Sequence, residues 1–420
     1  MQDKTKRVIS IIASLLLAMS MFAALPGSAF GATPPDLDAG DVCAIVDSVL
    51  GDIGYSNIVD AIYDAEDGDV IYLLTDVISG DDSSYIEIDK TLTIDMKGFD
   101  LTFMNTGIWI AEEGSLTIID GGKLELKFFD VQGVLDAVVE TLSLTDNSIF
   151  ANNTAVIDIT GDIIAEYSAI EARNGVLVTI NGNITANDWG VIAYSIESDD
   201  SPMVIVNGDI LAGICGVDAA DMALVEVNGN ITATDPEDGV GVFAIKGSKV
   251  EVVGDIDAVT GVQAGGNDLE GATVIVEGNI TAKTVGIMAL LSSEVFLTGN
   301  ITVTDPEESV GVLAVWGSEV TIDGTISALV YYIGFLDDEG DDDPREPDEY
   351  DPTTLKAGYY QYTDSLEDVS YVWVKIPPAP LPPAPTTPGT GDSLGLGLLL
   401  ISIISALGAC GFLARRRTVA

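Results

Sequence analysis

Val225-Glu226-Val227-Asn228-Gly229-Asn230-Ile231-Thr232-Ala233 is one of eight copies of a cassette that decides how this chain folds. The cassette reads aliphatic, any, aliphatic, any, Gly, Asp/Asn/Thr, Ile, any, Ala/Val. Its glycines are Gly161, Gly182, Gly208, Gly229, Gly254, Gly278, Gly299 and Gly324. Two places after each stands isoleucine: Ile163, Ile184, Ile210, Ile231, Ile256, Ile280, Ile301 and Ile326. Side chains alternate along an extended chain, so the apolar residues two and four places either side of Gly share one face. In the quoted copy these are Val225, Val227, Ile231 and Ala233. Glycine accepts backbone angles closed to other residues, so a bend is expected at each Gly, splitting the cassette into two short strands. A third segment, Gly-Val-x-Ala, follows at 190–193, 216–219, 241–244, 261–264 and 311–314, with looser copies at 169–172 and 286–289. Spacings of 21 to 26 residues between the glycines describe stacked coils rather than a single folded-over core. The prediction is an all-β, right-handed parallel β-helix with three strands per coil and rungs about 4.8 Å apart. A sandwich of hairpins is the competing reading. It would tolerate drift between copies, whereas isoleucine at all eight positions requires equivalent environments.

A longer rhythm is superimposed. Residues 229–253 match 299–323 at fifteen of twenty-five positions, including Thr234-Asp235-Pro236-Glu237 repeated as Thr304-Asp305-Pro306-Glu307. A block of three coils and 70 residues is therefore read as duplicated. The residue after each cassette Gly runs Asp162, Asn183, Asp209, Asn230, Asp255, Asn279, Asn300, Thr325. No two aspartates are neighbours in that stack, as expected where like charges would sit one rung apart. A side-chain ladder at the turn is predicted, rather than a column of metal ions.

The N-terminus carries Lys4, Lys6 and Arg7, an apolar run from Val8 to Leu25, and small residues around Gly31 and Ala32. Residues 1–32 read as a secretory signal and are excluded from the fold. In 33–80 the pattern of Ile58, Ala61, Ile62 and Ala65 predicts a helix that Ser56 caps, followed by a strand over Val70–Leu74. This entry stretch, from Tyr55 to Leu73, resembles the opening of pectin-lyase-like β-helix proteins. The resemblance implies that the helix covers the first rung, whose open edge would otherwise be an unpaired sheet. The β-helix is placed at 81–336, with an acidic loop and closing strands at 337–376; Gly358–Tyr362 and Tyr371–Lys375 are read as a closing strand pair.

Seven prolines between Pro377 and Pro388 make 377–390 a stiff spacer. Thr387-Pro388-Gly389-Thr390-Gly391, an apolar segment of 21 residues at 394–414 and Arg415-Arg416-Arg417 follow. The apolar length suits a transmembrane helix, with the arginines holding the tail inside. The order in 387–420 resembles a Gram-positive sortase sorting signal, Leu-Pro-any-Thr-Gly, with Thr387 where Leu is usual. By that resemblance the partners are a sortase and peptidoglycan, and Thr390 is the residue joined to the cell wall. Thr387, Pro388, Thr390 and Gly391 are then the sorting residues and the protein is extracellular. A plain single-span anchor is the alternative, and either places the β-helix outside the membrane.

Composition fits that address. Of 67 acids and 17 bases, residues 33–390 keep all but Asp3, Asp392, Lys4, Lys6, Arg7 and the three terminal arginines, a net charge of −54. Such a field repels nucleic acid and anionic lipid and attracts cations. The densest run, Asp337–Asp351, lacks the ligand spacing and closing Glu of an EF-hand. It reads as a solvated loop, with calcium at Asp337–Asp343 as the alternative; no other metal or cofactor is expected. Cys43 and Cys215 show no metal or redox spacing and lie too far apart along the axis for a disulfide.

No catalytic constellation is found. The resemblance puts polysaccharide cleavage on the table. With no histidine in the chain, the His-bearing polygalacturonase site cannot be built. Lyases of this class use a basic residue, and the exported arginines are Arg173 and Arg345, of which Arg173 is the candidate. A turn-capping or charge-balancing role for Arg173 is favoured. Carboxylate pairs for glycoside hydrolysis are too many to point anywhere. The preferred reading is a non-catalytic, wall-anchored adhesin or carbohydrate- or host-surface-binding protein; the alternative is a surface polysaccharide lyase or glycoside hydrolase. Trp189, Tyr194, Phe243 and Trp316 are the candidate ligand surface. They stand near an outward third-strand position that is apolar at Ile192, Phe243, Met288 and Leu313 and interrupted by Asp218 and Gln263. A row of Thr185, Thr232, Thr281 and Thr302 is expected to face out on the second strand.

Overall fold

A computed structural model describes residues 37–378, apart from 39, 47–51, 81–83, 197–199, 266–269, 337–341, 365 and 367–368. The first of the chain's two compact units ends at Lys375. It is an all-β parallel solenoid of about twelve turns with a single short helix among its described residues. Each turn gives one strand to each of three faces. One turn, for example, supplies Leu224–Val227, Ile231–Ala233 and Val240–Ala244. Every one of these pairs in parallel with its counterparts in the turns before and after. Parallel pairing begins at Asp69, where Asp69–Leu73 joins Thr91–Asp95.

The interior is built of ladders. On the second face Ile163, Ile184, Ile210, Ile231, Ile256, Ile280, Ile301 and Ile326 are mutual register partners through all eight turns. All eight are buried. The third face stacks Ala172, Ala193, Ala219, Ala244, Ala264, Ala289 and Ala314 in the same way. Stacking like on like keeps each rung's cross-section equal, which is what close packing demands of a repeated core.

Glycine at the cassette bend serves a purpose other than the expected one. Among the eight, only Gly161 has a positive φ, 140°. The others are required by approach. A Cβ on Gly182, Gly208, Gly229, Gly254, Gly278, Gly299 or Gly324 would lie 1.9–2.2 Å from the carbonyl oxygen of the cassette glycine one turn earlier. The Gly-Val-x-Ala glycines have a different neighbour. A Cβ on Gly190, Gly216, Gly241, Gly261, Gly286 or Gly311 would lie 2.2–2.4 Å from Cγ2 of a ladder isoleucine in the following turn, such as Ile256 for Gly241. The two repeated motifs are therefore one packing unit: the isoleucine methyl occupies the space the glycine leaves.

The turn ladder is present as expected. The backbone N–H of Asn183, Asp209, Asn230, Asp255, Asn279, Asn300 and Thr325 each donates to the side-chain oxygen one turn earlier, at 2.6–3.0 Å. Asparagine Nδ2 of Asn183, Asn230 and Asn279 also donates to the aspartate below, at 3.0–3.2 Å. An ionised aspartate has no proton for that bond, so Asn must follow Asp. Asn230→Asp should lower stability by about 1 kcal/mol at pH 7, losing a donor and lining up three carboxylates. The loss should shrink below about pH 4, where the new carboxyl is protonated and donates again. Thermal unfolding of variant and wild type at both pH values measures this; an equal deficit at both would contradict it.

Both ends of the first face are covered by antiparallel pairing. Cys43–Ile45 lies on the edge of Asp69–Leu73 and is itself paired with Ile53–Tyr55. The helix Ile58–Asp64 buries Ile58, Val59, Ala61 and Ile62. Its N-cap is Asn57 rather than Ser56, because Ile58 is the first helical residue; Asn57 Oδ1 accepts from Val59 N–H at 3.0 Å. At the other end Tyr371–Lys375 continues the first face on Glu319–Ile322 and closes antiparallel with Tyr359–Thr363. Tyr331–Leu336 of the third face is closed by Asp342–Arg345. The expected signal peptide, sorting residues Thr387, Pro388, Thr390 and Gly391, and span 394–414 lie outside the described residues. Among the described residues no helix is long and apolar enough to cross a membrane.

Candidate functional site

The third face carries a register-linked column of outward side chains with aromatic members at Trp109, Phe150 and Phe243. In each turn the residue between two buried aliphatic positions points out, and register links these residues into one column. From the first turn it runs Glu87, Trp109, Asp130, Phe150, Glu171, Ile192, Asp218, Phe243, Gln263, Met288 and Leu313. Acceptor side chains and apolar ones alternate from Glu87 to Met288. What reads locally as an apolar row interrupted at Asp218 and Gln263 is thus half of a two-rung pattern. Its repeat is about 9.6 Å, twice the rung spacing.

The candidate aromatics take different places on this face. Phe243 belongs to the column. Trp189 and Tyr194 are half-buried at the two ends of the strand Trp189–Tyr194, beside Ile192. Trp316 follows the strand Val310–Val315 in a left-handed turn conformation, φ 54°, and is 46% exposed. Sequence reading passed over Trp109, Asp130 and Phe150 because the first four turns lack the Gly-Val-x-Ala signal. The available sign was only the apolar-x-apolar form of Ile108–Ile110, Phe129–Val131 and Ile149–Ala151.

Electrostatics along the column are local. Arg173 Nε donates to Glu171 Oε1 at 3.0 Å, and a terminal nitrogen of the same guanidinium pairs with that carboxylate too. The guanidinium carbon lies 4.3 Å from the Phe150 ring centre and 5.0 Å from that of Tyr194. Tyr194 donates its hydroxyl to Glu171 at 3.0 Å. Burial and the Glu171 charge push the tyrosine up to about 12. Arg173 therefore balances Glu171 and braces two aromatic rings. Asp130, one turn before Phe150, has a buried Oδ1 with no hydrogen-bond partner. Burial raises it above the ordinary carboxylate range against the opposing pull of Arg173.

Asp218, between Ile192 and Phe243, is raised by burial to about 6. A carboxylate raised on folding holds its proton better in the folded state. Its contribution is fully favourable below about pH 4 and is lost as pH rises through about 6. Asp218→Asn should accordingly stabilise the protein at pH 7.5 by about 2 kcal/mol and be neutral at pH 3.5. Urea unfolding at the two pH values reports this; a gain of the same size at both would refute the burial account.

Elsewhere the surface offers less. On the first face Asp136 and Asp158 are direct register neighbours. Burial raises both, and the Asp158 charge raises Asp136 further. A shallow depression on that face, lined by Leu224, Glu226, Lys249 and Glu251 among others, has its lysine paired with Glu251. The threonine row is broken: its register runs Thr185, Leu211, Thr232, Asp257, Thr281, Thr302. Cys43 and Cys215 are free and buried. Of the acidic run, 337–341 lies outside the described residues and Asp343 is bound by Arg345. No cluster of three or more His, Cys, Asp or Glu among the described residues could hold a metal ion.

No protein-family model, no curated protein and no solved structure matches this chain. The solenoid is established by its ladders. The likenesses to pectin-lyase-like proteins and to sortase signals rest on the residues quoted for them.

Proposed function

We propose that this is a non-catalytic surface protein, anchored to a Gram-positive cell wall through Thr390, that holds a glycan or host-surface ligand along its third face. The observation that carries the binding role is the column from Glu87 to Met288, a ruled surface of alternating acceptor and apolar side chains. The aromatic members Trp109, Phe150 and Phe243 are flat, rigid contacts that cost little conformational entropy to present. In the same reading the solenoid winds right-handed, as parallel crossovers do, and the helix Ile58–Asp64 caps its first rung. The sorting signal supplies the address and the −54 charge keeps the exported part soluble. A glycan array probed with the full-length chain, with Phe150→Ala and Phe243→Ala beside wild type, tests the face. Binding unaffected by either substitution would place the ligand elsewhere. Wall digests should release the protein with Thr390 linked to peptidoglycan fragments. Mass spectrometry finding Arg415–Arg417 still attached would replace wall anchoring by a membrane anchor.

One observation favours a second reading, a glycoside hydrolase. Asp136 and Asp158 are register neighbours whose carboxyls are both raised by burial, and a raised carboxylic acid beside a second carboxyl is the pair such an enzyme uses. An assay for new reducing ends, with Asp136→Asn as control, decides between them. We expect no turnover; cleavage abolished by Asp136→Asn would establish the enzyme.

A further inference from the structure

We propose that the third-face column takes an uncharged β-1,4-linked glycan laid along the solenoid axis, one sugar ring per rung; the inference rests on that face being the ligand-binding one. Three observations on the column select this chemistry.

The first is the period. Apolar and acceptor side chains each recur every second rung, about 9.6 Å. In a β-1,4-linked chain of hexopyranoses each ring is turned over relative to the last, so the polymer also repeats every two rings. Every second ring therefore turns the same C–H face and the same hydroxyl edges toward the column. An extended peptide repeats every two residues, about 6.7 Å, and drifts out of step with the column within one repeat. An α-1,4-linked glucan coils and cannot lie along a straight column.

The second is the hydrogen-bonding sense. The polar members, Glu87, Asp130, Glu171, Asp218 and Gln263, all carry acceptor oxygens. Asp130 Oδ1 is buried without a partner, and a sugar hydroxyl is a donor of the right kind. A polyproline helix comes close in repeat, about 9.3 Å for three residues. Its prolines have no N–H, however, and offer these oxygens nothing.

The third is charge. The exported chain carries −54, and carboxylates stand in the column itself, so a uronic or sulfated polymer would be repelled along its whole length. Aromatic plates are ready at the first turns: Trp109 is held edge-on by Tyr85, ring centres 5.9 Å apart. Phe150, two rungs on, is backed by the Arg173 guanidinium.

The test is titration calorimetry and tryptophan fluorescence on the full-length chain with cellohexaose and chitohexaose. Maltohexaose, hexagalacturonate and a proline-rich peptide are the comparison ligands. The β-1,4 hexamers should bind, with affinity rising in steps of two sugars from the dimer upward. Trp109→Ala and Phe150→Ala should each weaken binding by about tenfold, while far-ultraviolet circular dichroism shows the solenoid intact. Asp130→Asn, which keeps an acceptor and the shape, should weaken binding less than Asp130→Ala. Equal binding of maltohexaose, or preference for hexagalacturonate or the peptide, overturns the inference. If another ligand binds and Phe150→Ala abolishes it, the β-1,4 assignment falls while the third face stands. If no ligand responds to Trp109, Phe150 or Phe243, both fall.

Discussion

Ile256→Asp is expected to destroy the cooperative unfolding of the solenoid's middle, lowering stability by several kcal/mol at pH 7. Ile256 is buried between Ile231 and Ile280 in the second-face ladder. Its Cγ2 also occupies the space beside Gly241, where a Cβ would come within 2.3 Å. Aspartate brings a carboxylate with no cation or donor on that ladder, and an unpaired buried charge costs several kcal/mol. A whole domain has only about 5–15 kcal/mol to lose. Because a solenoid's stability is a sum over neighbouring turns, the damage should centre on turns adjoining Ile256. Hydrogen exchange should show protection lost there first. Ile256→Val keeps a methyl beside Gly241 and should cost only about 1 kcal/mol. If the aspartate variant unfolds with wild-type midpoint and cooperativity, the ladder is not the core.

Gly254→Ala should cost about 3 kcal/mol although it adds one methyl group. The new Cβ would lie 2.2 Å from the carbonyl oxygen of Gly229 and 2.5 Å from its carbon. Both are backbone atoms locked in the rung below, so no side chain can swing aside. The rungs must part locally, at the upper range of overpacking penalties, about 1–3 kcal/mol. Gly40→Ala is the control: nothing lies within 4 Å of its Cβ and its φ is not positive. It should change stability by less than about 0.5 kcal/mol. Urea midpoints of the two variants give the comparison. An alanine at 254 as harmless as one at 40 would mean the rungs are not in contact at the glycine column.

Much of this architecture is legible in the chain because a repeated environment imprints itself on every copy. Eight isoleucines two places after eight glycines announced the inward ladder, and the Asp/Asn alternation announced the hydrogen-bonded turn. Each is a local pattern repeated at a nearly fixed period, so one dimension suffices to see it. The strand pair Tyr359–Thr363 and Tyr371–Lys375 was legible as well, but its place on the last first-face rung was not.

Other features depend on which residue lies above which. That Gly254 faces a carbonyl rather than bending into a left-handed conformation, and that Gly241 yields its space to Ile256, are contacts between turns. Loops of unequal length hide the offset that joins such residues. The same holds for the candidate site. Trp109, Asp130 and Phe150 stand about twenty residues apart with no shared motif, and only rung register makes them neighbours. Sequence by itself determined the repeating unit, its inward face and the acidic character of the outside, because burial and charge act residue by residue. The tertiary structure decided the order of side chains along the outside of the stack. That order is set by inter-rung hydrogen bonding, which disregards distance along the chain.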